Sequence, residues 1–462
     1  MKVLTPTDPD LDEPQHKNCT ATRNACKLCT PLGACLVFRG IEGTIPFLHG
    51  SQGCSTYIRR YLISHFREPI DIAASNFSEE SAVFGGASNF KLGVRNVINQ
   101  YQPKMVAVAT TCLSETIGED MDGMFRDYLK EFWYEGHPHL IKVSTPSYSG
   151  THIDGFHAAV KATVASLAIP GERTRRINLF PGMVSAADLR HVKEIAGDFN
   201  LPLTLLPDYS ESMDGETWSE YEKLQSGGTP IADIYAAGCA QTSIEFGRTL
   251  AEFPTAGNFL LQRFNIPNRQ LGLPIGLRET DAFFEALETA SGIPTPDKYS
   301  KERGRLVDAL IDGHKYVFEK RAIVYGEEDM VVGLASFLAE TGIIPVLCAS
   351  GGKSRRLATS LREAIPMLDE RTEIREGIDF AEIGELADSL KPDFIIGNSK
   401  GYSLARKLDI PIIRVGFPIH DRIGGQRILH LGYRGAQQLY DTIVNALLDT
   451  KQTSSPVGYS YL

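Results

Sequence analysis

The cysteines of this sequence are the residues whose type and spacing indicate chemistry. Five of the eight fall within the first 54 residues, and a sixth, Cys112, stands alone further along the chain. Thiolates bind soft and borderline metal ions and take part in redox reactions. In a chain of 462 residues with no apolar leader segment, this clustering indicates a metal or redox site rather than a disulfide scaffold.

Three of these cysteines lie in motifs that predict local structure. Cys29 opens "CTPLGAC", Cys54 ends "HGSQGC", and Cys112 lies in "TTCLSETIGED". An apolar run precedes Cys112 and a helical pattern follows, so we predict a strand, a turn at Cys112 and a helix from about Ser114. Ligands bind at such βα turns in open α/β sheets, and a helix N-terminus favours the thiolate. Glycines in the Cys54 motif allow backbone N–H groups to approach sulfur.

The spacing of the cysteines leaves three kinds of site open. Thiolates on separate loops with glycines nearby suit an iron–sulfur cluster better than zinc, because structural zinc sites use local ligand pairs and only Cys26 and Cys29 form one. A zinc or redox site stays possible. So does the simplest alternative, since free cysteines are often buried as small apolar side chains.

The elements that must position these cysteines follow an α/β pattern. Short apolar or β-branched runs alternate with longer helical patterns, which predicts parallel sheets buried on both faces by helices. The candidate strands are 105–110, 140–144, 177–180, 203–207, 322–326, 343–348, 393–398 and 412–417. Breaks in composition divide the chain into three predicted Rossmann-like domains: 1–170 with an N-terminal arm and the cysteine sites, 171–310, and 311–462 with a C-terminal tail.

Composition narrows the class of protein. The net charge is −10, with 42% hydrophobic and 23% charged residues. The charge argues against a general nucleic-acid or anionic-membrane binder, whose surface would be basic. No apolar run approaches the roughly 18 residues that a membrane span requires, so we expect a cytoplasmic protein that binds neither nucleic acid nor membrane.

Several long motifs, taken together, resemble the β-type subunit of nitrogenase component 1. They are "TPLGACLVFRGIEGTIPFLHGSQGC", "SHFREPIDIAASNFSEESAVFGGASN", "YQPKMVAVATTCLSETIGED", "KPDFIIGNSKG" and "IPIIRVGFPIHDR". The resemblance covers nearly the whole chain. It implies an oxidoreductase subunit that pairs with an α-type subunit, as an α₂β₂ assembly, and receives electrons from an ATP-dependent iron protein.

The resemblance also implies a ligand set. In this family three β-subunit cysteines hold half of the P-cluster, an eight-iron cluster (8Fe-7S) at the α/β interface, and match Cys29, Cys54 and Cys112. A serine that joins the oxidised cluster matches Ser147 in "TPSYSG". The P-cluster relays electrons to an iron–sulfur cofactor in the α-type subunit, so no catalytic residue is expected in this chain.

Two subtypes of this family fit the sequence. The short arm before Cys29 resembles the β-type subunit of the cofactor-assembly scaffold, in which well-known members hold a four-iron cluster (4Fe-4S). The complete set of cysteines instead resembles nitrogenase-like reductases, such as methylthio-alkane reductase. Our hypothesis is therefore a reductase β-type subunit, with the scaffold subunit as the alternative.

Other residues have structural interpretations. We interpret His49 as a hydrogen-bonding residue of a turn, assign no role to Cys26 or Cys35, and expect Cys239 and Cys348 in the core. The loop "GNSKG" (397–401) lacks the P-loop spacing and is interpreted as a tight turn that ends a strand. "HDR" (420–422) has no nucleophile beside it and is interpreted as a salt-bridge loop between domains or subunits.

Overall fold

The computed structural model describes residues 26–220, 222–251 and 253–457. Cys19, the rest of the predicted N-terminal arm up to residue 25 and the last five residues of the tail lie outside the described residues. Three all-parallel sheets flanked by helices follow one another along the chain. The predicted α/β fold with Rossmann-like units is therefore confirmed.

The first sheet carries the cysteine-bearing loops. Its strands are β1 (Thr44–His49), β2 (Ala73–Ala74), β3 (Met105–Thr110) and β4 (His139–Val143). Its helices are α1 (Thr30–Arg39), α2 (Gln52–Phe66), α3 (Glu79–Phe84), α4 (Ala87–Tyr101), α5 (Cys112–Thr116), α6 (Met121–Phe132) and α7 (His152–Leu167). The order β2-β1-β3-β4 makes β1 and β3 the central strands, and both are buried along their whole length.

The second sheet has four strands in the order β6-β5-β7-β8. They are β5 (Ile177–Phe180), β6 (Leu203–Leu205), β7 (Thr242–Phe246) and β8 (Asn268–Leu271). The accompanying helices are α8 (Ala186–Asp198), α9 (Ile231–Ala236), α10 (Ala256–Phe264) and α11 (Gly276–Ser291). The edge strand β8 is half-buried, in keeping with its polar sequence "NRQL".

The third sheet has five strands in the order β11-β10-β9-β12-β13. They are β9 (Arg321–Gly326), β10 (Ile344–Ser350), β11 (Glu373–Glu376), β12 (Phe394–Gly397) and β13 (Ile412–Arg414). The helices are α12 (Asp297–Val317), α13 (Glu328–Glu340), α14 (Leu357–Ala364), α15 (Phe380–Leu390), α16 (Tyr402–Leu408) and α17 (Gly432–Ser454). One large apolar core runs through all three sheets.

The helices α12 and α17 connect the second and third sheets. α17 packs along α12 and also against α11. The domain limit proposed at 310 falls within α12, and the limits 1–170, 171–310 and 311–462 stay predictions. None of the described helices is long and apolar enough to cross a lipid bilayer.

The strand predictions succeeded where apolar runs were continuous. All eight candidate strands correspond to strands of the structure. Five strands were missed: β1, β2, β7, β8 and β11. β1 contains Pro46, and both β8 and β11 are polar edge strands, so each lacks the continuous apolar run on which the predictions relied.

The single helix predicted after Cys112 is two helices in the structure. α5 begins at Cys112 itself and lasts 5 residues, and α6 begins at Met121. Gly118 between them has a φ of +76°, which the helix cannot continue through. The carboxylate of Asp120 then caps α6 by accepting a hydrogen bond of 2.9 Å from the Gly123 N–H.

Candidate functional site

Cys54 and Cys112 lie on neighbouring loops because the strands before them are neighbours. β1 and β3 pair in parallel along six residues, with His49 opposite Thr110 at their carboxyl ends. The chain then enters α2, in which Cys54 occupies the first turn, and α5, in which Cys112 is the first residue. The prediction that Cys112 lies at a βα turn is confirmed.

Gly50 allows these two loops to touch. A Cβ atom at this position would collide with the side chain of Thr111, the residue before Cys112. The Thr111 hydroxyl donates a hydrogen bond of 3.1 Å to the carbonyl of His49 and so ties the two loops together. The contacts of Gly50 therefore indicate that this glycine lets the two loops pack closely; they do not indicate that it brings an N–H group to a sulfur atom. Next to Gly50, the Ser51 hydroxyl donates to Cys54 Sγ over 3.8 Å.

Cys29 is the residue just before α1 and makes no side-chain capping hydrogen bond, and α1 crosses α7 at very short range. The crossing depends on two glycines. A Cβ atom on Gly33 would collide with the carbonyl oxygen of His152, and one on Gly155 would collide with the carbonyl oxygen of Thr30. This close contact holds Cys29 against the loop that leads from β4 into α7.

Ser147 lies in that same loop and connects the cysteines. Its backbone N–H donates a hydrogen bond of 3.2 Å to Cys112 Sγ. The hydroxyl of Thr30, next to Cys29, donates to the carbonyl of Pro146 over 3.4 Å. The four residues predicted as ligands are therefore joined through direct contacts between their loops, although they come from four separate stretches of sequence.

The cysteines differ in their exposure. Cys29, Cys54 and Cys112 are free and half-buried, whereas Cys26, Cys35 and Cys348 are free and buried. Burial raises the pKa of Cys26 to about 11 and that of Cys348 to about 12, and it raises the pKa of Cys35 still further. The buried three therefore stay as thiols at neutral pH, the less reactive form.

The two cysteines predicted to lie in the core behave differently. Cys348 is fully buried within β10, as predicted. Cys239 is only half-buried, at the end of a short 3₁₀ turn, and its Sγ lies 3.7 Å from the carbonyl oxygen of Ile169. Its prediction was wrong because the residue follows α9 rather than lying in a strand.

The donor set suits a shared cluster better than a single ion. Within the described ranges, no three His, Cys, Asp or Glu side chains converge on a point where one metal ion could be held. A tetrahedral zinc site needs such convergence. Thiolates that bind different irons of one cluster do not need to converge in this way, and Cys29, Cys54 and Cys112 are all half-buried.

His49 lies directly behind the Cys54 loop and is not the hydrogen-bonding residue we predicted. Its ring is fully buried, with centroids 4.8 Å from Phe77 and 5.5 Å from Phe90 in edge-to-face contacts. Neither ring nitrogen has a hydrogen-bond partner among the described residues, and Nε2 lies 3.7 Å from a Glu119 oxygen. Burial lowers the pKa of His49 to about 4, so the ring is neutral at pH 7.

Lys400 is a residue of this site that the sequence analysis missed. The turn after β12 forms as predicted, and it carries the lysine toward the cysteines. Lys400 Nζ donates to the carbonyl of Lys27 over 3.4 Å and lies 6.0 Å from the ring centroid of Tyr61, a residue of the helix that holds Cys54. Desolvation lowers the pKa of Lys400, and the charge of Cys29 acts on it in the opposite direction.

Comparisons with known proteins show the family to which the chain belongs. Residues 29–448 match the family model described as nitrogenase component 1 type oxidoreductase. The chain is 35% identical to the nitrogenase molybdenum-iron protein beta chain of Methanothermobacter thermautotrophicus over 92% of this chain and 94% of that one. It is also 35% identical to the nitrogenase vanadium-iron protein beta chain of Trichormus variabilis, over 91% of this chain and 92% of that one.

A solved structure has the same fold along the whole chain. A chain of nitrogenase Cp1 at pH 6.5 superposes with a TM-score of 0.92 at 32% identity, covering 96% of this chain and 98% of that one. A second chain, from nitrogenase Cp1 at pH 5, superposes with a TM-score of 0.69 at 13% identity, which indicates a shared fold only.

Proposed function

This chain belongs to the nitrogenase component 1 type oxidoreductases as a β-type subunit. From this premise we propose that it is the subunit that relays electrons in a nitrogenase-like reductase. In this proposal Cys29, Cys54 and Cys112 hold half of an interfacial P-cluster (8Fe-7S). Ser147 is a further ligand of the oxidised cluster. When bound, the cluster would supply a low-potential relay for electrons.

The observation that carries the proposal is the contact network among the four residues. Ser147 donates its N–H to Cys112 Sγ, Thr30 beside Cys29 donates to Pro146 beside Ser147, and Thr111 donates to the loop that leads to Cys54. The thiols are half-buried and unpaired by disulfides. Half-buried thiols on loops that contact one another are preorganised for a cluster shared with a second subunit.

The residues of this chain would also tune the cluster. A hydrogen bond from the Ser147 N–H withdraws charge from the Cys112 sulfur, and such bonds raise the reduction potential of iron–sulfur sites. The ammonium group of Lys400 adds a positive charge beside Cys29. Both effects favour the reduced form, which carries more negative charge.

Exposed apolar side chains near the site support a subunit partner. Phe77 donates its N–H to the carbonyl of Gly50, and α3 begins two residues later. At the end of α3, Val83 is 74% exposed and Phe84 is 83% exposed, while Tyr148 beside Ser147 is 68% exposed. Neighbouring exposed apolar groups mark protein interfaces. We propose that an α-type subunit covers this face in an α₂β₂ assembly, and that an ATP-dependent iron protein supplies the electrons.

The test is anaerobic co-purification of the chain with its α-type partner. Mössbauer spectroscopy would count the irons of each cluster type, and EPR would be recorded during stepwise oxidation. We expect an eight-iron cluster whose EPR signals appear on oxidation, and electron transfer that depends on the iron protein and ATP.

Two results would contradict the proposal in different ways. A four-iron cluster at the interface, without substrate turnover, would support the assembly-scaffold subunit instead. A complex that lacks any cluster bound by these cysteines would overturn both functions.

A further inference from the structure

A second feature of the molecule is a cavity of about 420 Å³ at the carboxyl ends of β9 and β10. All three sheet units contribute to its wall: α7 from the first, Thr249, Leu250 and Phe253 from the second, and the loops after β9 and β10 from the third. Its volume lies in the range of small-molecule sites, and the carboxyl ends of parallel strands are where open α/β sheets bind ligands. The proposed relay function makes no use of it.

Two histidines of α7 form part of the wall. His157 is only 6% exposed, and its ring makes no hydrogen bond with any other described residue. Burial lowers its pKa to about 4, so at pH 7 it is a neutral ring with one donor and one acceptor nitrogen. His152 accepts a hydrogen bond of 3.4 Å at Nδ1 from the Leu28 N–H, which puts its proton on Nε2.

Three of the four lysines and arginines that line the cavity have no carboxylate partner among the described residues, whereas the guanidinium of the fourth, Arg356, lies 3.8 Å from a Glu363 oxygen. Lys27, Lys353 and Arg355 line the cavity and are exposed to solvent. No ion pair joins any of them to a described acidic residue. Their charge is therefore available to a ligand in the cavity.

The acidic residues of the cavity are already engaged. Asp154 accepts from the Thr151 N–H over 2.6 Å at the start of α7, and Glu327 accepts from the Asp329 N–H over 3.1 Å at the start of α13. Glu328 accepts from the Ser354 N–H over 3.1 Å. Burial raises the pKa of Glu327 and raises that of Glu328 to about 7, so both carboxyls carry less than a full negative charge at neutral pH and offset the cations of the cavity only in part.

We propose that this cavity binds a small oxyanion with at least two negative charges, of the phosphate or the carboxylate class. Lys353 and Arg355 would attract and pair with its oxygens at the entrance, while His157 and His152 would hydrogen-bond to it inside. None of the candidate cluster ligands lines the cavity, although Lys27 in its wall is two residues from Cys29, and the ligand would be held where the three units of the chain meet.

Isothermal titration calorimetry of the purified αβ complex tests this site. Pyrophosphate and succinate serve as the phosphate and carboxylate probes, and sodium chloride at equal ionic strength serves as the blank. We expect one saturable site per β-type chain for at least one probe, and the probe that binds more tightly assigns the ligand class.

Substitutions of cavity residues, compared with a control substitution elsewhere, test whether the probes bind in this cavity. The double substitution Lys353→Gln and Arg355→Gln changes two exposed side chains, so the fold should be kept while affinity falls at least tenfold. Lys130→Gln, an exposed lysine of α6 far from the cavity in sequence, should leave affinity within twofold of the wild type. His157→Phe should weaken binding as well, with thermal unfolding recorded to verify that the variant is folded.

Either of two results would overturn the proposal. One is the absence of saturable binding by both probes in the wild-type complex. The other is equal affinity in the double variant and the Lys130→Gln control, which would locate any binding elsewhere. Neither result would bear on the cluster, because Cys29, Cys54 and Cys112 are unchanged in every variant.

Discussion

The loops after β1 and β3 and the loops after β9 and β10 each lie at the carboxyl ends of two neighbouring parallel strands, in the first and the third sheet respectively. The first pair presents thiols, hydroxyls and glycines, joined by hydrogen bonds and close packing. The second pair presents lysine, arginine and glutamate around a cavity. The backbone places both pairs where ligands bind, but the side chains suit different ligands: a soft metal cluster in one case and an oxyanion in the other.

Burial shifts the pKa values of the ionisable groups near the two pairs of loops in opposite directions. Desolvation lowers the pKa of His49 to about 4 behind the first pair, and it raises the pKa of Glu328 to about 7 in the second. In both cases the neutral form is favoured, as expected when charge is removed from water. The two regions should therefore respond oppositely to pH.

The largest expected effect is the loss of a thiolate from the first pair of loops. Cys112→Ala should remove most of the interfacial cluster and slow electron transfer at least a hundredfold, because the sulfur has no substitute among its neighbours. Iron analysis and EPR of the αβ complex measure this. Cys239→Ala, at another half-buried cysteine, is the matched control and should retain the cluster. Equal iron content in both variants would show that Cys112 is not a ligand of the cluster.

Acid should weaken the fold around His49. The unfolded chain binds a proton to this residue near pH 6.5, whereas the folded chain binds it only near pH 4. Stability should therefore fall as the pH drops from 6.5 to 4, by roughly 3 kcal/mol. Urea unfolding across this pH range gives the free energy of unfolding of the wild type and of His49→Leu. The difference between the two pH profiles is the contribution of His49, separated from that of the other buried histidines. Parallel pH profiles for the two proteins would contradict the assignment.

The contact between the first pair of loops should be sensitive to a single methyl group. Gly50→Ala places a Cβ atom against Thr111, and we expect a loss of about 1–3 kcal/mol together with reduced iron content. Gly304→Ala in α12 meets no atom within 4 Å and should instead stabilise the chain by up to about 1 kcal/mol. Urea unfolding compares the two. A neutral Gly50→Ala would mean that the loops can separate without cost.

The smallest effect is expected at Glu328, because this half-buried side chain is partly screened by solvent whereas His49 is fully buried. Because its folded pKa is raised to about 7, the folded chain keeps a proton that the unfolded chain loses near pH 4.5. Its contribution to stability therefore falls as the pH rises from 4.5 to 7, the reverse of the His49 effect. Glu328→Gln keeps an acceptor for the Ser354 N–H and should gain stability over the wild type between pH 5 and pH 8. Thermal unfolding at both pH values checks the sign.

The sequence alone determined the class of fold and the local setting of the cysteines. Continuous apolar runs such as "MVAVAT" predict buried parallel strands, and the run before Cys112 places that residue at a strand end. These features depend on short-range pattern, which a linear sequence contains directly. The ligand set, including Ser147, followed from the resemblance of long motifs to a known family rather than from spacing.

Only the tertiary structure decided which of these residues meet. Lys400 contacts Lys27 across 373 positions of sequence, and Gly33 and Gly155 matter because two distant helices cross there. The cavity between the three units likewise combines residues from every part of the described chain. Such contacts arise from the packing of whole sheets and helices against one another, and no local pattern specifies the partner of a side chain in a different unit.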